Sequence, residues 1–419
     1  MTKKSTLSAI LILLMFPYIA GKGIVFSKEL KLPPPSGPFK AGLTGLSVID
    51  SSRYDQIVKK NPGFRTLQLL IWYPSEPGPD SKPEIIARRL PGVVSHFAKM
   101  VSLPPFLFRS GEKAISNSYW NAPVAIKDSS YPVLLFSHGI GIGTVIQNAI
   151  QCEELASQGY IVVSIGHTYE SCIVSLPDGQ NIPADMDRWR KLVPEMTIPV
   201  KKSPLYAMNR FNDLPRLDSC AREEVHVTPT LDESHRIWAQ DTKFVIDRLE
   251  VLRNRAISGS LYSQFDLSRI GVFGQSMGGM ASQKVAFDDK RIKAGISYDA
   301  VPIIEAVEDS MKIPFMFMNS ETFKNASEPL FARAVNDAYY AVIRGAVHFN
   351  FADFSYLFGN SFFWRWVGFS GKIDPLQCEM IINSLTIAFF DKYIKKQDSD
   401  LEKLSTEFPE LKMRTKLKR

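Results

Sequence analysis

The sequence is poor in cysteine, with four among 419 residues and no CxxC spacing. No group of histidines lies near these cysteines, so a zinc site is not predicted. Internal repeats and low-complexity segments are also missing, while 45% of the residues are hydrophobic and 22% are charged. These features exclude a fibrous or disordered chain and predict a globular protein.

The few cysteines leave two alternatives for their redox state. Cys172 and Cys220 lie in one irregular segment, so in an oxidising compartment they are the first pair to test for a disulfide. Four unpaired thiols are the alternative.

Dense basic runs are missing except at the C-terminus. The net charge of +7 is spread along the chain, and the one basic run lies in the tail at 401–419, with Lys412, Arg414, Lys416, Lys418 and Arg419. This tail lacks the interleaved aromatic residues of a nucleic-acid surface, so nucleic acid is not predicted as a partner. We predict a solvated tail; attraction to anionic lipid headgroups is the alternative.

The N-terminus has no apolar run long enough to span a bilayer comfortably. Lys3 and Lys4 precede an apolar stretch at 7–19 that is broken only by Ser8 and Pro17. This arrangement is typical of a secretory signal peptide, here assigned to residues 1–21. It predicts a secreted, periplasmic or extracellular protein. An uncleaved N-terminal membrane anchor is the alternative, because the cleavage site is indistinct.

From about residue 65 onward, short apolar runs alternate with segments of helical period. This pattern predicts an α/β fold in which helices cover both faces of a mainly parallel sheet, within one domain at 30–400. The predicted strands are 67–73, 133–137, 161–165, 270–273, 294–298, 315–318 and 339–343, and the predicted helices are 144–158, 234–254, 278–287, 328–337 and 376–395. The stretch at 170–234 has no sustained period, so we expect an insertion that acts as a lid, or else a surface excursion.

The sharpest local signal is G-x-S-x-G at Gly274 to Gly278, between an apolar strand and a good helix former. In this strand-to-helix context the two glycines allow a strained turn that exposes the hydroxyl of Ser276 at a helix N-terminus. The motif therefore predicts a serine nucleophile on an α/β-hydrolase fold. An ordinary glycine-rich turn is the alternative reading.

A serine nucleophile requires a histidine base and a carboxylate that orients it. In the hydrolase fold the order along the chain is serine, acid, histidine, and His348 is the only histidine after Ser276. Asp299 alone directly follows a strand with a buried pattern, so it is the predicted acid, with Glu321 as the fallback. His138 precedes the serine and is predicted to shape a loop.

Acyl transfer also requires backbone donors for the oxyanion. One donor is expected to be the amide of Met277, which follows the nucleophile. The other is expected from the glycine-rich loop after the strand at 133–137, where we assign the amide of Ile140.

Longer motifs resemble those of the plasma-type platelet-activating-factor acetylhydrolases, also called the lipoprotein-associated phospholipase A family. The resemblance covers nearly all of the chain after the signal segment and rests on Tyr131-Pro132 before FSHGIG, on GQSMGG, AGISYDA and FMNSETF, and above all on RGAVHFNFADF. It implies the triad Ser276, Asp299 and His348, with the amides of Ile140 and Met277 as the oxyanion hole. The insertion at 170–234 matches the family poorly.

The resemblance also implies an activity: hydrolysis of the sn-2 acyl ester of phospholipids whose acyl chain is short or oxidised, through an acyl-serine intermediate and without calcium, another metal or a cofactor. It implies that the substrate is reached at a lipid or lipoprotein surface. Two aromatic-rich segments are candidates for this peripheral contact; the candidate residues are Leu103, Phe106, Leu107, Phe108, Phe362, Phe363, Trp364 and Trp366. Core packing or a dimer contact is the alternative.

Two other functions fit the same residues. A general carboxylesterase, lipase or polyester hydrolase would share the triad, since a fold does not fix the substrate. A non-catalytic hydrolase-fold protein that binds lipid or another protein is the second alternative.

Overall fold

The computed structural model describes residues 30–59, 62–126, 130–199, 201–359 and 361–418. The predicted signal segment at 1–21 lies outside these residues. None of the helices in the described part is both long and apolar enough to cross a membrane.

A ten-stranded sheet forms the centre of the molecule, in the order β12-β11-β10-β9-β8-β4-β5-β2-β1-β3. Neighbours from β5 through β4 to β11 pair in parallel, whereas β2 and β12 pair antiparallel with the two ends of this parallel block. A small hairpin, β6 with β7, stands apart. The strands are β1 Lys40–Tyr54, β2 Phe64–Ser75, β3 Ser118–Trp120, β4 Tyr131–Ser137, β5 Ile161–His167, β6 Ile173–Ser175, β7 Asn181–Pro183, β8 Phe265–Gln275, β9 Ile292–Tyr298, β10 Phe315–Ser320, β11 Ala338–Ile343 and β12 Leu411–Lys416.

Helices cover both faces of the sheet. The α-helices are α1 Val93–Met100, α2 Arg109–Glu112, α3 Ala149–Ser157, α4 Met186–Met196, α5 Pro204–Met208, α6 Leu214–Val227, α7 Pro229–Asn254, α8 Met277–Asp288, α9 Glu305–Glu308, α10 Glu328–Arg333, α11 Phe354–Phe358, α12 Phe362–Trp366, α13 Pro375–Phe390 and α14 Leu401–Glu407. Leu134 and Phe136 of β4 pack with α3 and α13, whereas Val133 and Leu135 pack with α7 and α8. This alternation buries both faces of the strand, which explains its continuous apolar sequence.

The order of the strands creates a crevice. From β4 the chain passes to β5 on one side, and it later returns as β8 on the other side of β4. The loops after β4 and β8 therefore leave the carboxyl edge of the sheet in divergent directions, which is where α/β proteins bind ligands.

All seven predicted strands lie within observed strands, and the predicted mainly parallel sheet with helices on both faces is confirmed. The C-terminal prediction differs from the structure. Instead of a solvated tail, α14 is followed by β12, which pairs along β11 from Leu411 to Lys416. In β12 the side chains alternate between the protein and solvent: Leu411 is buried and the lysines are exposed. This is the pattern of a half-buried edge strand, which the basic charge of the segment made hard to recognise.

The insertion at 170–234 also contains more regular structure than its sequence predicted. It carries the β6–β7 hairpin, the helices α4, α5 and α6, and the start of α7. The side chains of Asp185, Ser203 and Asp213 cap the three helix starts, and such caps define short helices even without a long apolar period.

The first disulfide candidate does not form. Cys172 and Cys220 are both free and buried, and they belong to separate apolar clusters, so each thiol packs as a small hydrophobic side chain. Cys152 and Cys378 are free and buried as well.

Candidate active site

Ser276 occupies a strained turn between β8 and α8. Its backbone has φ 57° and ψ −117°, a conformation that costs free energy for a residue with a side chain. The amide of Ser276 donates to the carbonyl of Tyr298 at the end of β9, at 2.8 Å. The turn holds the half-buried serine side chain at the carboxyl edge of the sheet.

The two motif glycines are required by space. A Cβ added to Gly278 would lie 1.8 Å from the carbonyl oxygen of Ser137, and one added to Gly274 would lie 2.3 Å from the backbone of Gly278. The chain thus doubles back against itself and against the end of β4. Any side chain at either glycine would force the turn open.

Asp299 and His348 meet at the ends of neighbouring strands. Asp299 directly follows β9 with φ 47° and is fully buried. Its Oδ1 accepts from the amide of Ser320 at 2.6 Å, and its Oδ2 lies 2.8 Å from Nδ1 of His348. His348 comes from the loop after β11, and its side chain is 25% exposed. The carboxylate is therefore oriented by the backbone and faces a ring that solvent reaches.

The competing acid and base lie elsewhere. Glu321 is exposed, and its Oε2 accepts from the amide of Gly345 at 3.0 Å. His138 is fully buried, and burial together with the nearby His167 lowers its pKa to about 3. Its Nδ1 donates to the carbonyl of Gly139 at 2.8 Å. These contacts agree with a loop-shaping role for His138.

The remaining nitrogen of His348 faces the residue next to the serine. Nε2 of His348 lies 3.2 Å from Nε2 of Gln275, and within the described part of the chain no hydrogen bond joins it to Ser276 Oγ. Gln275 was not predicted as a site residue because it occupies the variable position of G-x-S-x-G. Its partner Gln147, whose Nε2 donates to Gln275 Oε1 at 3.2 Å, has no sequence signal at all.

The predicted oxyanion donors flank the turn. Met277 is the first residue of α8, where an amide has no acceptor within the helix. Ile140 lies in the loop after β4, and no described residue accepts a hydrogen bond from its amide. The amide of Gly278 donates to the carbonyl of His138 at 3.1 Å. This bond fixes the loop after β4 against the serine turn.

The insertion packs beside the site in two places. Trp189 of α4 packs so closely on the loop after β4 that a Cβ on Gly141 would lie 2.0 Å from its ring. On the other side, the ring of Phe323 packs edge-on against Tyr206 of α5 and against His348, with centroids 5.6 Å apart in both pairs. The insertion thus contacts the loop after β4 directly, whereas it reaches the histidine only through Phe323, which lies outside the insertion.

The two aromatic-rich segments converge on one cluster. Phe108 and Trp364 have ring centroids 5.6 Å apart and are both buried, so these two candidates belong to the core and are not available to a lipid surface. Phe362 and Trp366 of α12 are 72% and 60% exposed. Leu103, Phe106, Leu107 and Phe363 are half-buried. Exposure differs among the residues of α12 because this short helix has one face toward the core and one toward solvent.

Comparisons with known proteins agree with this geometry. A family model described as platelet-activating factor acetylhydrolase, isoform II, matches residues 24–408. The platelet-activating factor acetylhydrolase of Cavia porcellus is 29% identical over 282 residues, which are 66% of this chain and 60% of that protein. The Gallus gallus protein of the same name is 29% identical over 281 residues, which are 64% of each chain. The match thus spans less than two thirds of these relatives.

A solved structure supports the fold. The structure of a ferulic acid esterase from Streptomyces cinnamoneus superposes with a TM-score of 0.67 and 20% identity, over 92% of this chain and 99% of that one. With the sheet order and the turn at Ser276, this similarity identifies the fold as an α/β-hydrolase fold.

Proposed function

The chain belongs to the platelet-activating factor acetylhydrolase family, isoform II, and on this premise we propose that it is a serine esterase that cleaves the sn-2 acyl ester of phospholipids with short or oxidised acyl chains. The proposal rests above all on the 2.8 Å contact between Asp299 and His348 beside the strained turn of Ser276. Ser276 is the proposed nucleophile, His348 the base, and Asp299 the group that orients the base.

The proposed mechanism is acyl transfer in two steps. His348 Nε2 takes the proton of Ser276 Oγ as the oxygen attacks the sn-2 carbonyl, and the amides of Ile140 and Met277 stabilise the oxyanion. The protonated histidine then gives its proton to the leaving lysophospholipid oxygen. Water, deprotonated by the same histidine, attacks the acyl-serine and releases the carboxylate.

Asp299 is suited to this cycle by its surroundings. It is fully buried and accepts the backbone amide of Ser320 at 2.6 Å, so its second oxygen stays directed at Nδ1 of His348. A fixed carboxylate holds the histidine tautomer in which Nε2 is free to accept a proton, and it stabilises the imidazolium that follows.

The exposed face of α12 is the proposed contact with lipid. Phe362 and Trp366 are exposed, and Arg365 beside them is a cation suited to lipid phosphates. The double variant Phe362→Ser/Trp366→Ser is expected to lose activity on vesicles while retaining it on a soluble ester. Equal activity of the variant and the wild type on vesicles would contradict the contact.

An acyl-chain series tests the substrate. Purified protein is assayed on acetyl-, hexanoyl- and palmitoyl-phosphatidylcholine and on soluble p-nitrophenyl esters. The proposal predicts turnover of the two short-chain phospholipids and little of the palmitoyl one. Preference for the soluble esters would instead favour a general carboxylesterase or polyester hydrolase. Failure of a fluorophosphonate probe to label Ser276 would favour a non-catalytic binding protein.

Export is the proposed location. It rests on the sequence alone, on Lys3 and Lys4 followed by the apolar stretch at 7–19. N-terminal sequencing of the protein recovered from the medium or periplasm tests cleavage near residue 21.

A further inference from the structure

We propose that Gln147 and Gln275 are positioning residues for the proposed base His348. A chain of hydrogen bonds, called the relay below, runs from the amide of Gly139, beside the oxyanion loop, through these two glutamines to Nε2 of His348. The inference rests on the proposed function and adds two residues to it. Neither glutamine forms or breaks a bond in the reaction; both act by holding the histidine.

The orientation of both carboxamide groups is fixed by the hydrogen bond between Gly139 and Gln147. The amide of Gly139 donates to Oε1 of Gln147 at 3.2 Å, and a backbone N–H can only donate. The carboxamide oxygen of Gln147 must therefore face Gly139, with its NH2 group on the other side. This NH2 group donates to Oε1 of Gln275 at 3.2 Å, which turns the NH2 group of Gln275 toward His348.

The last member sets the tautomer of the histidine. Nε2 of Gln275 lies 3.2 Å from Nε2 of His348 and 3.5 Å from the backbone carbonyl of the same residue. Because a carboxamide NH2 group has no lone pair to offer, the ring nitrogen must be the acceptor and carry no proton. The ring proton then lies on Nδ1, which faces Asp299 Oδ2 at 2.8 Å. This is the tautomer that a base for Ser276 requires.

Packing makes this arrangement hard to replace. Gln147 is 5% exposed and Gln275 is 2% exposed, so solvent has little access to either amide. A Cβ on Gly139 would lie 2.5 Å from Oε1 of Gln275, so a side chain there would displace the carboxamide of Gln275 from this arrangement.

A side branch reaches the histidine loop at a second point. Gln147 Nε2 also donates to Oδ1 of Asn148 at 3.0 Å, and Nδ2 of Asn148 donates to the carbonyl of Phe351 at 3.0 Å. The relay therefore holds both the ring of His348 and the backbone three residues beyond it.

The relay explains why the resting histidine contacts Gln275 and not Ser276. Both groups are donors for the same lone pair on Nε2. The amide keeps the ring aimed at the turn in the free enzyme, and Ser276 Oγ–H takes its place at that lone pair when the hydroxyl attacks. Once Nε2 is protonated it can no longer accept, so the amide contact belongs to the steps before proton transfer.

Methionine variants of the full-length protein test the relay, because methionine keeps the length of glutamine and removes its hydrogen bonds. For Gln275→Met we expect kcat on a soluble short-chain ester to fall about tenfold to a hundredfold with little change in KM, since misplacement of a catalytic group affects the chemical step. The rate of fluorophosphonate labelling of Ser276 should fall by the same factor. Gln147→Met should show the same pattern, and the double variant should fall less than the product of the two losses.

Gln283→Met is the matched control. Gln283 is buried in α8, and no described residue bonds to its Oε1, so this variant should retain both kcat and labelling rate. A low-field proton resonance from Nδ1–H of His348 should be present in the wild type and weakened in Gln275→Met. Thermal unfolding of each variant separates loss of positioning from loss of fold, and Gln147→Met serves if Gln275→Met does not fold.

Three outcomes would overturn the relay: wild-type kcat in folded Gln275→Met, a higher kcat in that variant, or an equal loss in Gln283→Met. If the wild type hydrolyses esters and is labelled but Gln275→Met matches it, only the relay is wrong. If the wild type is neither active nor labelled, the proposed function fails and the relay fails with it.

Discussion

Ser276, His348 and Asp299 share their residue types with a second set of side chains only one strand away. In that set, Nε2 of His167 lies 3.1 Å from Ser137 Oγ, and its Nδ1 lies 2.9 Å from Asp241 Oδ2. Judged by hydrogen bonds alone, the second set is the more complete triad. It is nevertheless closed, because His167 and Asp241 are fully buried and Ser137 nearly so.

The difference lies in the surroundings of each set. Asp241 accepts from Nε and Nη2 of the buried Arg65, at 3.1 and 2.7 Å, and the ring of His167 stacks on Trp238 with centroids 3.8 Å apart. Ser137 ends an ordinary strand, whereas Ser276 stands in a strained turn near the amides of Ile140 and Met277, for which no described residue is an acceptor. A hydrogen-bonded Ser–His–Asp chain does not by itself predict catalysis; the proposed assignment to Ser276 rests on solvent access and on oxyanion donors as well.

The largest expected effect is on kcat, and it distinguishes Ser276 from Ser137. Ser276→Ala should keep the fold and lower kcat by roughly 10⁶, because the nucleophile is lost. Ser137→Ala should retain most of the activity and lose only about 1 kcal/mol of unfolding free energy, the typical contribution of one hydrogen bond. Steady-state rates and urea unfolding of both variants provide the measurement, and loss of turnover in Ser137→Ala alone would reverse the assignment.

Replacing each aspartate sharpens the same contrast. Asp299→Asn should lower kcat by about 10⁴, because the histidine would be held in the wrong tautomer. Asp241→Asn should chiefly reduce stability, by about 3 kcal/mol, since the buried Arg65 would lose one of its two carboxylate partners and keep only Asp55. Wild-type unfolding free energy in Asp241→Asn would show that the buried set is not structural.

Acidification should destabilise the folded state through His138 and His167, at pH values where these buried histidines would ionise in the unfolded chain. Burial lowers the pKa of His167 to about 4, against the bonding of Asp241 that favours the charged ring, and burial with the nearby His167 lowers that of His138 to about 3. Unfolded histidine titrates near ~6.5. Below that pH the unfolded chain binds protons that the two buried rings do not, so these histidines should contribute a fall in the free energy of unfolding from pH ~6.5 toward pH 4.

Thermal unfolding across this pH range tests the sign. The variant His138→Asn, which retains a donor for the carbonyl of Gly139, should show a shallower decline than the wild type. A decline in His138→Asn as steep as that of the wild type would contradict the lowered pKa of His138.

Strands with a clear local sequence pattern could be predicted from the sequence. Several of the seven predicted strands were continuous apolar runs, and both faces of β4 are indeed buried. β1 was missed, since its 15 residues mix glycine, serine and buried aliphatic side chains without a clear period. β12 was missed because its own basic sequence does not predict a strand. Its strand conformation depends on hydrogen-bonded pairing with β11, which lies far from it in the sequence.

The sequence by itself determined the turn at Ser276, because Gly274 and Gly278 leave space that the backbone must occupy within five residues. The order of residues along the chain also left His348 as the only candidate for the base, since no other histidine follows Ser276. Only the tertiary structure decided which carboxylate faces that histidine, how Gln147 reaches Gln275, and that Ser137, His167 and Asp241 form a closed copy of the triad. These contacts join residues far apart in the chain, and burial, which depends on every element packed around them, controls whether such groups can react.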